Sequence, residues 1–215
     1  MAQPKIILTH GIFEFPLFMT PLANKLEALG YETVHFCYRS VRQTLEENTR
    51  DFAEFIQKET DNGESAVLIG HSLGSLVIQF TLEAYPELNV SHAIAITPPF
   101  QGSTITQNLE DKNLSFIVGR ALNALLPQKN RWNSSVPLGV IAGTKSFGVT
   151  KLFLKNDRPN DGTLYVDETK IEGMTDHITL PESHTEILLS KELAELCDAF
   201  IQHTTFNVST DTDAR

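Results

Sequence analysis

AVLIGHSLGSLVIQF, residues 66–80, is an apolar run interrupted at its centre by Gly70, His71, Ser72 and Gly74. Residues 66–69 are apolar without alternation, the pattern of a strand buried on both faces. From Leu73 onward the apolar positions change to helical spacing, at Leu73, Leu76, Val77 and Phe80. The G-x-S-x-G pattern between them arises by chance in roughly one chain in fourteen of this length. Its place at a strand-to-helix junction gives it weight, because a sharp turn there exposes Ser72 above the sheet edge at the start of a helix. A non-glycine residue at such an apex adopts strained dihedrals, and the residues two before and two after it pass too close to their neighbours for side chains. Ser72 is therefore a candidate nucleophile; the plainer alternative is a serine that only caps the helix.

Outward from this stretch, short apolar runs alternate with helical patterns, the signature of strand-helix-strand units and a mostly parallel sheet. Strands are expected at 5–9, 33–38, 66–69, 92–97, 137–142 and 177–180. A helix capped by Thr20, with Pro21 at its first position and Leu22, Leu26 and Leu29 on one face, precedes Gly30. Thr44 and Glu47 form a capping-box pattern ahead of a stripe of Phe52, Phe55 and Ile56. A last helix carries Leu189, Leu193, Leu196 and Phe200. The one long connection, 98–135, contains an apolar segment at 114–126 that reads as a crossover helix covering the sheet, with a lid over a cleft as the alternative. The organisation expected is one α/β domain over 1–203 and a polar, frayed tail over 204–215.

The chain has 215 residues, 41% of them hydrophobic, enough for one domain with a sizeable core. A formal net charge of -10 with no basic cluster argues against nucleic acid as a partner. The first residues carry too short an apolar run for a signal peptide, and no stretch approaches the length of a membrane span. A cytoplasmic protein without stable membrane insertion is the expectation; the oligomeric state is left open. Cys37 and Cys197 each lie in apolar segments and are expected to pack as small hydrophobes.

A serine hydroxyl needs a base, and the base an orienting carboxylate. Two late histidines compete. His177 opens a strand, whereas His184, in PESHTEIL, follows the last strand's C-terminal end, on the edge where Ser72 emerges. His184 is the better placed. For the acid, Asp157 and Asp161 lie after the fifth strand and Asp176 is a later rival; Asp161 is favoured because its Pro-Asn-Asp-Gly turn is a rigid short loop able to hold a carboxylate against an imidazole, the alternative being an ordinary turn with no chemistry. The first strand ends in THGIFEFPLF. Gly11 permits a sharp turn that brings the Ile12 N–H toward that of Leu73 as a two-donor oxyanion hole. His10 is expected to stabilise that turn. Phe13 and Phe15, with Phe100 from the TPPFQGS loop, are candidate substrate-binding residues.

THGIF, GHSLGSL, AIAITPPFQGS, NDGTLYV and SHTEILLS, in this order, resemble the α/β-hydrolase superfamily. More narrowly they resemble small bacterial lipases and esterases related to the lipase-like GPI inositol-deacylase family. The resemblance implies a minimal α/β-hydrolase fold, with about six mostly parallel strands flanked by helices on both faces and little or no lid. It implies Ser72, Asp161 and His184 as catalytic residues, Ile12 and Leu73 as oxyanion donors, and no cofactor or metal. Ser75 departs from the pattern, since many relatives carry glycine there. The activity implied is carboxylic ester hydrolysis on a small ester or lipid. An acyltransferase or amidase, a membrane-acting phospholipase and a non-catalytic binding protein are the alternatives on the same fold.

Overall fold

The computed structural model describes residues 3–61, 63–127, 130–147, 154 and 158–207. Six strands form one parallel sheet in the order β2-β1-β3-β4-β5-β6. They are β1 (Lys5–Thr9), β2 (Thr33–Phe36), β3 (Ala66–His71), β4 (Val90–Ile96), β5 (Leu138–Gly143) and β6 (Asp176–Leu180). Reversal of the strand order at β1 opens a crevice beyond the C-terminal strand ends, where β1, β3, β5 and β6 deliver the loops that carry the site.

Helices cover both faces, and the period-two alternation of the strands divides the core accordingly. Ile6, Leu8, Val67, Ile69, Ile94 and Ile96 point toward α1 (Thr20–Ala28) and α6 (Lys191–His203). Ile7, Leu68, Ala93, Ala95 and Val140 point toward α2 (Leu45–Glu59) and α3 (Leu73–Ala84). Burial on both faces explains why these strands read as unbroken apolar runs. The helix over Leu45–Glu59 begins as expected, with Glu47 N–H donating to Thr44 Oγ1 at 3.2 Å and Thr44 N–H to Glu47 Oε2 at 2.7 Å.

Four expectations change. The segment 114–126 is not one helix. It forms 3-10 turns at Ser115–Ile117 and Gly119–Ala121 and a single α-turn, α5 (Leu122–Leu125), because Gly119 has a φ of +57° where the chain presses against the Val41 carbonyl. A helix absent from the expected set, α4 (Thr104–Asp111), precedes it, capped by Ser103 Oγ accepting from Thr106 N–H. The polar tail does not begin at 204: Phe206 is buried against Phe200, and its N–H donates to Asp176 Oδ2 at 2.7 Å. Of that tail, residues 208–215 lie outside the described residues. Cys37 is exposed rather than packed, since it follows the edge strand β2, and Cys197 is buried.

Candidate active site

Ser72 stands between β3 and α3 with φ +51° and ψ -121°. A Cβ on Gly70 would lie 2.7 Å from Ser75 N, and one on Gly74 2.7 Å from the carbonyl oxygens of Thr9 and His10, so both positions exclude any side chain. Ser75 is accommodated because its hydroxyl donates to the Gly70 carbonyl at 2.8 Å, fastening the turn from inside. A serine here therefore replaces the usual glycine at no cost in unsatisfied polarity. Leu73, the first residue of α3, carries one of the N–H groups that helix geometry leaves unbonded.

Asp161 and His184 meet in the crevice. His184 Nδ1–H donates to Asp161 Oδ2 at 2.7 Å, and the His184 backbone N–H donates to the Asp161 carbonyl at 3.0 Å. Asp161 is buried, and its other carboxylate oxygen accepts the N–H groups of Thr163 and Leu164 at 2.8 and 2.7 Å. Burial opposes its charge, but the His184 imidazole and these donors outweigh burial and hold the carboxyl below its usual range. With Nδ1 committed as donor, a neutral His184 presents Nε2 as an acceptor. The acid loop approaches this closely because Gly143 ends β5: a Cβ there would lie 2.8 Å from Asp161 Cβ.

The rivals are occupied elsewhere. Asp176, at the start of β6, accepts from Thr205, Phe206 and its neighbour His177. His177 faces Thr169 Oγ1 at 3.3 Å. Asp157 lies outside the described residues. His10 stabilises its turn: Nδ1–H donates to the Gly11 carbonyl at 2.9 Å, and the ring stacks on Tyr38 at 4.5 Å.

Sequence reasoning missed a buried ion pair beside the elbow. His71, wholly buried beside Ser72, donates from Nδ1–H to Glu14 Oε2 at 3.0 Å and from Nε2–H to the His184 carbonyl at 2.8 Å. The same Glu14 oxygen accepts the Gly11 N–H at 2.6 Å. Burial disfavours both charges, yet their mutual field and hydrogen bonds prevail, holding Glu14 down at about 2 and raising His71 above the usual imidazole range. The sequence shows an acidic residue three positions after Gly11 and a histidine inside the elbow, but nothing in it pairs the two.

Ser72 and His184 share one cavity of about 460 Å³ with Ile12, Phe13, Ile105 and Leu125 among its walls. Its lining is mostly apolar, and the 104–126 segment supplies one side through Ile105, Leu109, Ile117 and Val118. Two of the three expected substrate-binding aromatics lie outside this cavity. Phe100 is fully buried in the core on the α3 side and does not line the cavity, because the loop after β4 turns its ring inward. Phe15, 69% exposed, borders an adjacent hollow with Tyr38 and Arg42. Phe13 lies between the two and lines both.

The fold recurs in solved structures. The lipase BlEst2 of Bacillus licheniformis in its mature form is 17% identical, with a TM-score of 0.79 over 94% of this chain and 91% of that one. In its propeptide form it is 16% identical, with a TM-score of 0.83 over 93% of this chain, which spans 50% of that longer chain. The metagenomic carboxyl esterase MGS0156 is 17% identical, with a TM-score of 0.74 over 95% of this chain and 77% of its own. No curated protein sequence matches the chain. The sequence profile of the alpha/beta hydrolase family matches residues 6–179, and with the parallel sheet and the elbow at Ser72 it makes this chain a member of that family.

Proposed function

We propose that this chain is a serine carboxylic ester hydrolase that works through an acyl-enzyme. The observation that carries the reading is the 2.7 Å Asp161–His184 hydrogen bond in the cavity that Ser72 also lines. Ser72 Oγ attacks the ester carbonyl while His184 Nε2 takes its proton; His184 then returns that proton to the leaving alcohol. Asp161 fixes the imidazole tautomer and stabilises the transient imidazolium. The N–H groups of Ile12 and Leu73 face the developing oxyanion, and water deacylates the serine by the reverse route. The apolar walls favour an acyl chain over a polar group. Exposed Phe13, Phe15, Leu17 and Phe18 beside the mouth favour a lipid over a freely soluble ester as the natural substrate.

With p-nitrophenyl butyrate as substrate, His184→Ala is expected to lower kcat by about 10,000-fold and His177→Ala by less than about twofold. The reverse order reassigns the base. Equal activity in both variants and the parent removes the hydrolase reading.

A further inference from the structure

We infer that Glu14 and His71 are positioning residues that lock the oxyanion loop and the base loop to the elbow, so that both stand in register with Ser72. The inference rests on the hydrolase reading for its catalytic consequence and on hydrogen-bond chemistry for its geometry. A carboxylate and a backbone carbonyl only accept. Because His71 meets Glu14 Oε2 at one ring nitrogen and the His184 carbonyl at the other, it donates from both and is an imidazolium. A neutral ring has one N–H and satisfies one of the two. The positive charge is what lets a single side chain hold both loops.

The chain of contacts is continuous. Gly11 N–H donates to Glu14, Glu14 accepts from His71, and His71 donates to the carbonyl of His184, whose ring donates to Asp161. Gly11 is the residue before the Ile12 N–H, and a Cβ on Gly11 would lie 3.1 Å from Ser72 Cβ, so the loop it anchors touches the nucleophile. His71 precedes Ser72 in the chain. One ion pair thus ties together the three segments whose relative placement sets attack geometry, where a misplacement of about 1 Å costs on the order of 100-fold. The pair touches no reacting atom in this scheme; it acts through Gly11 and His184.

The titratable groups around His71 are Glu14 and His10 on the oxyanion loop, Tyr38 behind His10, and Asp161 and His184 opposite. Glu14 is the strongest of these in keeping His71 charged against its burial. Replacing the carboxylate leaves burial unopposed by it, so His71 then loses its proton at lower pH.

The test compares the parent with Glu14→Gln, a near-isosteric change that keeps the Gly11 acceptor. Proton NMR of the folded parent is expected to show protected downfield resonances for both His71 ring protons and for His184 Nδ1–H. In Glu14→Gln the His71 pair of resonances is lost at neutral pH and His184 Nδ1–H exchanges at least about tenfold faster. In parallel, kcat on p-nitrophenyl butyrate falls about 10- to 100-fold with KM within about twofold, and the alkaline limb of the kcat profile moves to lower pH. Should Glu14→Gln not fold, the parent alone decides: the alkaline midpoint of kcat must match the NMR titration of His71. An unchanged His184 resonance and unchanged pH profile in a variant that is merely less heat-stable overturns the inference, as does a neutral His71 in the parent at pH 7. A parent inactive on esters but showing these resonances and their loss removes the hydrolase reading and leaves the positioning role standing.

Discussion

The backbone of Ser72 occupies a region that L-residues rarely adopt, and such strain costs about 1–3 kcal/mol. Close packing of Gly70 and Gly74 leaves the chain no other path, so the strain persists. Ser72→Gly is therefore expected to be more stable than Ser72→Ala by about 1 kcal/mol in urea unfolding, although both lack the hydroxyl. Equal stabilities contradict a strained elbow. At this scale much of the site was legible. Glycine spacing at a strand-helix junction singled out Ser72, the order of residues singled out His184, and the Pro-Asn-Asp-Gly turn singled out Asp161. Those signals are local or depend on chain order. Glu14 and His71 were not legible as a pair because they lie 57 positions apart, and only the folded register of β1 and β3 brings them together. For Phe100 the sequence places the loop near the crevice but does not say which way the ring turns, and the ring is buried.

Among the elements, the strands were the most legible because burial on both faces leaves unbroken apolar runs; observed bounds such as Ala66–His71 differ from expectation only at their ends. The 104–126 region was the least legible. Its apolar residues serve two surfaces, the core through Ala121 and Ala124 and the cavity through Ile117, with Val118 and Leu125 shared by both, so no single helical stripe describes them. This division gives separable outcomes for three phenylalanines. Phe100→Ala should cost about 3–5 kcal/mol of stability, measured by chemical unfolding, with an unchanged preference along a series of ester chain lengths. Phe13→Ala should shift that preference with a change in stability under about 1 kcal/mol, because the residue is 55% exposed and lines the cavity. Phe15→Ala should do neither. A chain-length shift in Phe100→Ala or Phe15→Ala would return those side chains to the substrate site.

For the molecule as a whole, the buried Glu14–His71 ion pair at one sheet edge links folding to pH. The folded-state pKa of Glu14 is about 2, against 4.5 for an ordinary glutamate. A depressed carboxylate contributes stability that is present above its unfolded value and lost as pH falls through its folded value. His71 is raised, so its contribution is present below its unfolded value and lost as pH rises through the folded one. The Tm is thus expected to drop steeply as pH falls from 4.5 toward about 2, and the drop should be shallower in Glu14→Gln. Parallel acid curves for the two proteins would mean that the pair is not charged in the folded state. Asp161 and Asp176, also held below their usual range, add to the same acid window. Among the described residues no helix is long and apolar enough to cross a membrane.

The proposed function requires that this fold activate one serine. Incubation of the folded protein with an alkyl fluorophosphonate, followed by peptide mapping, tests it without assuming a substrate. A single stoichiometric adduct is expected on Ser72, forming at least about 1,000-fold more slowly in His184→Ala. An unlabelled Ser72, or labelling at a rate indifferent to His184, would contradict it.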